Sequence, residues 1–360
     1  MLRPAVAVTA APQPPPRATI MNKLRLPRLA RTIVLGLLGL AAAVAALWWA
    51  VFALKPYTIP AAELDARYAH RAAGAPALPL QFGDAEPVMV GGTAAWAQTL
   101  RFTSFDGDVV LGRIVQPTDP RLPASEPGGR PVLLALHAMG RTQWRWWQAE
   151  FKGRPTIEKT HLLAAQALQA GYAVVALDAR AHGDRKDPER PFIARELLRR
   201  LHWWGEREPY ERLIVDTVKD YRVLLDGLAR QPHLDATRVR AAGYSMGAQM
   251  ALLLAAMDPR VRSVAAMVPP HLDAKVAAVA PVLAAPRMAG VEVWLLTADD
   301  DDHASPAENA ALFERLPGPA KRHLRFPSGH LLPPNWVEPL QGWLEARADG
   351  PGVMPWHEPC

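Results

Sequence analysis

The apolar positions of this chain fall into three regimes. The first is the run 33–54, which is uncharged over 22 residues. As a helix it would span about 33 Å, enough to cross a hydrocarbon core of about 30 Å. It has no polar face, so it does not read as a helix resting on a soluble core. The second regime, 55–94, is rich in Ala and Pro with scattered charge and predicts a stalk that packs loosely. The third, 95–348, alternates short apolar runs with helical patterns. Residues 99–104 and 109–115 flank Phe105-Asp106-Gly107-Asp108, and Asp-Gly between alternating runs predicts a hairpin. Residues 131–136 are continuously apolar, as in a strand buried on both faces. Helices are then predicted at 156–170, 210–230, 248–257, within 274–283, at 306–316 and at 335–348. Strands fall between them at 172–177, 237–242, 261–268, 291–297 and 322–326. Strands alternating with helices predict an α/β domain, a mostly parallel sheet with helices on both faces.

Charge refines the first regime. The formal charge of +6 arises at the amino end, where residues 1–32 carry six basic and no acidic residues, leaving 35 of each sign in the remainder. The body therefore has no electrostatic footprint for nucleic acid. Basic residues ahead of the apolar run place the N-terminus in the cytoplasm and the body on the extracytoplasmic side, the periplasm in a Gram-negative cell. A cleaved signal peptide is the competing reading, but its apolar region is shorter and ends at small residues. Here Trp48, Trp49 and Phe52 occupy the far end, where an interfacial aromatic belt would stand. The expectation is a single-pass anchor at 33–54, preceded by a disordered basic segment at 1–32. The tail 349–360 is Pro- and Gly-rich and predicts no element. The only cysteine is Cys360, which excludes an intrachain disulfide framework and a cysteine-based metal site.

The chemistry centres on Gly243-Tyr244-Ser245-Met246-Gly247, a G-x-S-x-G between a predicted strand and a predicted helix. In that setting the pentapeptide reads as a nucleophile elbow, a strained turn that lifts the serine hydroxyl clear of the sheet. The glycines allow strand and helix to approach closely. The Met246 N–H, at the start of the new helix, faces an oxyanion formed beside Ser245. The second donor is expected in His137-Ala138-Met139-Gly140, after the first buried strand, with Met139 N–H favoured over Ala138.

A serine hydroxyl needs a base, and the base needs an orienting acid. In a parallel sheet both stand in loops at the carboxyl ends of later strands. The chain supplies Asp299-Asp300-Asp301-Asp302-His303 after one strand and Ser328-Gly329-His330 after the next. His330 is the expected base, over His303 and His323. Residue types alone leave the choice among the four aspartates open. The acidic run with His303 would suit a divalent metal only with a second ligand cluster, and none is evident. No metal or cofactor is expected.

From about residue 99 to 348 the chain resembles an α/β-hydrolase, most like the dienelactone-hydrolase and prolyl-oligopeptidase-like branch. The residues that carry this are Ser104-Phe-Asp-Gly-Asp-Val-Val-Leu111, Leu136-His-Ala-Met-Gly140, Asp178-Ala-Arg-Ala-His-Gly183 and the segment from Asp235 to Ala248. The resemblance implies an α/β-hydrolase fold and a Ser245–His330–Asp301 triad. Asp301 takes the acid's place because Ala298 occupies the position of a family glycine three residues earlier. Two departures stand out: Ala138 and Ala181 each replace a glycine common in the family. The implied activity is hydrolysis of a small-molecule ester. Peptidase or thioesterase action is the alternative within the fold, and an inactive binding or scaffold protein the alternative outside it. The peptidase branch often carries an N-terminal propeller, for which 1–94 is too short.

Two segments exceed what such a fold needs. Arg141 to Trp147 contains Trp144 and Trp147, and Arg185 to Glu208 contains Trp203 and Trp204. These four tryptophans are the candidate substrate-binding walls. The competing reading has them cover the core edge or rest on a membrane surface.

Overall fold

A computed structural model describes residues 27–71, 79–122, 128–189 and 193–345. The expectations for residues 1–26 and for the tail 349–360 lie outside these. Two units are distinct, one ending at Phe52 and one starting at Ala53.

The first unit is helix α1, Arg28–Phe52, with none of its side chains buried. At 25 residues it is about 38 Å long, and by length and composition it can cross a membrane. A signal sequence near an N-terminus passes the same test.

The second unit contains helix α2 (Ala61–Tyr68), strands β1 (Gln81–Phe82), β2 (Glu86–Val90), β3 (Thr93–Thr103), β4 (Val109–Gln116) and β5 (Arg130–Leu136), and a small hairpin β6 (Glu150–Phe151) and β7 (Arg154–Pro155). There follow α3 (Thr160–Gln169), β8 (Ala173–Leu177), α4 (Ile193–Trp204), α5 (Arg207–Leu228), β9 (Leu234–Tyr244), α6 (Met246–Met257) and β10 (Val261–Met267). The last elements are α7 (Pro281–Ala284), β11 (Glu292–Ala298), α8 (Pro306–Arg315), β12 (Lys321–Phe326) and α9 (Leu340–Glu345).

The main sheet runs β1-β3-β4-β8-β5-β9-β10-β11-β12, with β2 on β3. The β3–β4 hairpin enters antiparallel, and from β8 to β12 every neighbouring pair is parallel. β5 lies between β8 and β9, and all seven of its residues are buried, which explains its unbroken apolar run. Side chains on alternate faces of the strands build two cores. One contains α5 and α6 with residues such as Leu134, Tyr221 and Leu252. The other contains α3 and α9 with Leu133, Leu163 and Trp343.

The segment 55–94 is not the loose stalk expected. Leu64 and Tyr68, four apart on α2, form one apolar stripe that is buried in the first core. The Tyr68 hydroxyl donates to the Ala278 carbonyl at 2.9 Å, and Arg67 pairs with Glu211 on α5 at 3.1 Å. β1 and β2 then join the sheet edge. Leu54, placed by the sequence at the end of the apolar anchor, also packs against the first core rather than continuing α1.

Candidate active site

The ends of β9, β11 and β12 determine the site, with β10 between the first two. β9 ends at Tyr244 and α6 begins at Met246, so Ser245 is the single residue of the turn, with φ 55° and ψ −118°. A non-glycine residue there is strained. The surroundings hold it: Ser245 N–H donates to the Met267 carbonyl at 2.8 Å, and its own carbonyl accepts from Gln249 N–H at 3.0 Å. The glycines are required by space. A Cβ on Gly243 would come within 2.1 Å of the Gly247 carbonyl oxygen, and one on Gly247 within 2.1 Å of the Leu136 carbonyl oxygen. The second close approach presses the start of α6 against the end of β5, from which residues 137–140 leave.

β11 and β12 pair in parallel up to Ala298 and Phe326. Their following loops therefore leave the sheet side by side and are tied together: Asp299 N–H donates to the Phe326 carbonyl at 2.9 Å and Asp300 N–H to the Ser328 carbonyl at 3.0 Å. This carries Asp301 to His330. The His330 Nδ1 lies 2.9 and 3.0 Å from the two Asp301 oxygens, and its Nε2 lies 2.9 Å from Ser245 Oγ. With Nδ1–H donating to the carboxylate, Nε2 is left to accept the serine proton. The Asp301 side chain is buried. Burial alone would raise its pKa, but the hydrogen bonds from His330 and from the His303 N–H at 2.8 Å, with both imidazoles nearby, outweigh burial and hold it below the ordinary carboxylate value. His303 does not replace His330; its ring stands edge-on to that of His330, centroids 4.5 Å apart. His323 faces away to Thr297, at 2.8 Å.

Met246 N–H is at the first position of α6, among the N–H groups that a helix leaves without an intrahelical acceptor. Met139 is partly buried in the loop after β5. That loop is held by His137, whose ring lies 2.9 Å from the Ala138 carbonyl through Nδ1 and accepts the Ala179 N–H at 2.9 Å through Nε2. Burial lowers the pKa of His137 to about 4, so the ring is neutral and can serve both bonds. Ala138 has no positive φ, so its side chain brings no backbone strain, whereas Ala181 has φ 59°, a left-handed conformation that costs a residue with a Cβ.

The tryptophans divide. Trp147 is buried in the second core, its indole N–H directed at Gln143 Oε1 at 3.4 Å. Trp144 stacks on Phe151 at 5.8 Å, with the Arg113 guanidinium 4.9 Å above its ring. The 3-10 turn Gln143–Trp146, capped by Thr142, packs this segment against α3, which buries Trp147 and leaves Trp144 half-buried. Trp203 and Trp204 are 62% and 49% exposed at the end of α4.

Sequence reasoning missed Tyr244. Its hydroxyl donates to the His330 carbonyl at 2.8 Å and accepts the Leu332 N–H at 2.9 Å. It also missed the role of His137, for which a histidine closing a buried strand was the only signal.

A sequence-family model described as the alpha/beta hydrolase fold matches residues 131–293, a stretch that includes Ser245. No curated protein matches by sequence. Among solved structures, acetyl xylan esterase 1 from Thermoanaerobacterium sp. JW/SL YS485 superposes with a TM-score of 0.57 at 17% identity, over 80% of this chain and 99% of that one. The acetyl xylan esterase from Paenibacillus sp. R4 gives 0.55 at 18%, over 80% and 99%. The glucuronoyl esterase from Solibacter usitatus gives 0.50 at 14%, over 80% and 92%. The chain has the α/β-hydrolase fold.

Proposed function

We propose that this protein is a membrane-anchored serine hydrolase that cleaves a small-molecule carboxylic ester, with its catalytic domain on the extracytoplasmic side. The observation that carries the reading is the continuous contact from Asp301 through His330 to Ser245. Ser245 Oγ attacks the ester carbonyl carbon while its proton passes to His330 Nε2. The oxyanion formed is held by the N–H groups of Met246 and Met139. The C–O bond to the alcohol then breaks, and Nε2 returns the proton to the leaving oxygen. Water repeats the sequence on the acyl-enzyme, releasing the acid and Ser245. Asp301 keeps Nδ1 protonated throughout and steadies the imidazolium. These steps need only side chains and backbone, with no cofactor. That several solved structures of this fold are esterases favours an ester over an amide. Anchoring by α1, residues 33–54 in the sequence reading, rests on its length and apolar surface.

The test is turnover of p-nitrophenyl esters of increasing acyl length beside thioester and peptide substrates, for the wild type and Ser245→Ala. The expected result is ester hydrolysis by the wild type and its loss in a folded Ser245→Ala protein. Unchanged turnover in that variant would refute the mechanism, and peptide cleavage exceeding ester cleavage would refute the substrate class.

A further inference from the structure

Helix α4 exposes apolar side chains at its carboxyl end. Its inward residues Leu197 and Leu201 are buried against the first core. Its outward residues include Arg195, Arg199, His202, Trp203 and Trp204, all exposed. Two adjacent tryptophans, 62% and 49% exposed beside a row of cations, form an amphipathic surface of the kind that settles in a lipid headgroup layer.

Chain connectivity identifies the occupant. Lys55 is the first charged residue after α1 and lies three residues beyond Phe52, so a spanning α1 delivers it into the headgroup layer. The body seizes the chain there. Arg207 donates to the Lys55 carbonyl at 2.9 Å and lies 4.7 Å over the Tyr57 ring. Tyr57 is itself fixed through its N–H to the Ala274 carbonyl at 2.8 Å and its hydroxyl to Glu211 at 2.5 Å. Arg207 begins α5 and follows Trp204 by three residues, a reach of at most about 11 Å. The turn between them is closed by the Glu206 N–H on the Arg200 carbonyl at 3.2 Å and by an Arg200–Glu206 ion pair. The residue that meets the membrane exit and the exposed tryptophans thus belong to one fixed turn.

We propose that the α4 end, through Trp203, Trp204 and the neighbouring arginines, docks on the bilayer surface from which α1 emerges and orients the body there. The inference rests on α1 spanning a bilayer, part of the proposed function. Residues 274 and 207 follow the carboxyl ends of β10 and β8, the same rim of the sheet that carries Ser245. Docking therefore sets the catalytic rim beside the lipid surface, where a membrane-borne ester would be met.

The test uses the full chain in liposomes containing anionic lipid, with Cys360→Ser and a single reporter cysteine carrying an environment-sensitive fluorophore. One reporter replaces His202. The other replaces Gln341, exposed on α9, whose buried side packs in the core on the opposite sheet face. Quenching by lipids spin-labelled near the headgroup is expected to be at least about threefold stronger at 202 than at 341, and to fall to the level of 341 when Trp203→Ser and Trp204→Ser are combined. Carbonate extraction of the same liposomes separates the two ideas. Protein released by carbonate would overturn the anchor and the docking together. Protein retained, with equal quenching at the two reporters or with quenching unchanged by the double substitution, would overturn the docking alone.

Discussion

The hydroxyl of Tyr244 donates to the carbonyl of His330 at 2.8 Å, so the residue before Ser245 holds the backbone of His330. The same hydroxyl accepts the Leu332 N–H at 2.9 Å, and the Tyr244 ring stands edge-on to the His330 imidazole, centroids 6.2 Å apart. One side chain thus bridges the elbow and the histidine loop on both sides of His330. Tyr244→Phe leaves the His330 carbonyl and the Leu332 N–H without this partner, a loss of about 1–3 kcal/mol in stability. Because the loop that aims His330 is loosened, kcat is expected to fall about tenfold or more while KM moves little. Chemical denaturation and steady-state kinetics of this variant check both.

Asp301 alone of the four consecutive aspartates contacts the His330 ring, whereas Asp299 pairs with Arg325 at 2.7 Å. Asp301→Asn offers the ring an amide in place of the carboxylate and disturbs the tautomer that leaves Nε2 free. The expected fall in kcat is about 10²–10⁴-fold. Asp302, exposed in the same loop, is the control, and Asp302→Asn is expected to stay within about twofold of wild type. Parallel kinetics of the two variants decide the assignment.

Gly247→Ala would bring a Cβ within 2.1 Å of the Leu136 carbonyl oxygen and 2.6 Å of its carbon, both backbone atoms. The start of α6 must then move away from the loop at 137–140. A stability loss of about 3 kcal/mol, at the upper end of ordinary overpacking, is expected with loss of ester turnover. Thermal melting of the variant measures the first part.

Acid sensitivity is built in behind the site. His182 is fully buried, and burial, with His137 beside it, lowers its pKa from 6.5 to about 3. Between these values the unfolded chain binds a proton that the folded chain does not, so stability falls as pH drops below about 6.5. His137, lowered to about 4 by burial, acts in the same direction. Asp178, pushed up to about 6 by burial, opposes them, because between its ordinary value and about 6 the folded form holds the extra proton. Replacing His182 with Phe removes one proton from this balance. Between pH 4 and 6 the stability of His182→Phe is expected to depend on pH less steeply than wild type by about 1.4 kcal/mol per pH unit. Denaturation midpoints across that range give the slopes.

The parts of the fold that were legible in sequence are those where one physical requirement dominates. β5 is apolar from Pro131 to Leu136 because it is covered on both faces, and the strand–turn–helix around Ser245 requires two glycines where backbones nearly touch. His330 could be chosen from its Gly-containing loop after the last strand, but Asp301 needed the resemblance, since four adjacent carboxylates look alike until the β11–β12 pairing turns one inward. The rest depended on long-range contacts. The buried stripe of α2 is only Leu64 and Tyr68 in an Ala- and Pro-rich stretch, too short a period to announce a docked helix. Trp147 and Trp203 look equivalent as letters, yet one closes a core and the other faces outward. The task of Tyr244 is set by a loop 86 residues away, and no local pattern encodes it.

The central claim is that Ser245 is chemically activated by His330. Reaction of the purified full-length protein with a fluorophosphonate, followed by mass mapping of the modified peptide, tests it most directly. The account predicts a single adduct on Ser245, absent in Ser245→Ala and formed at least about a hundredfold more slowly in His330→Ala. A folded wild-type protein that stays unlabelled, or a His330→Ala variant labelled at the wild-type rate, would contradict it.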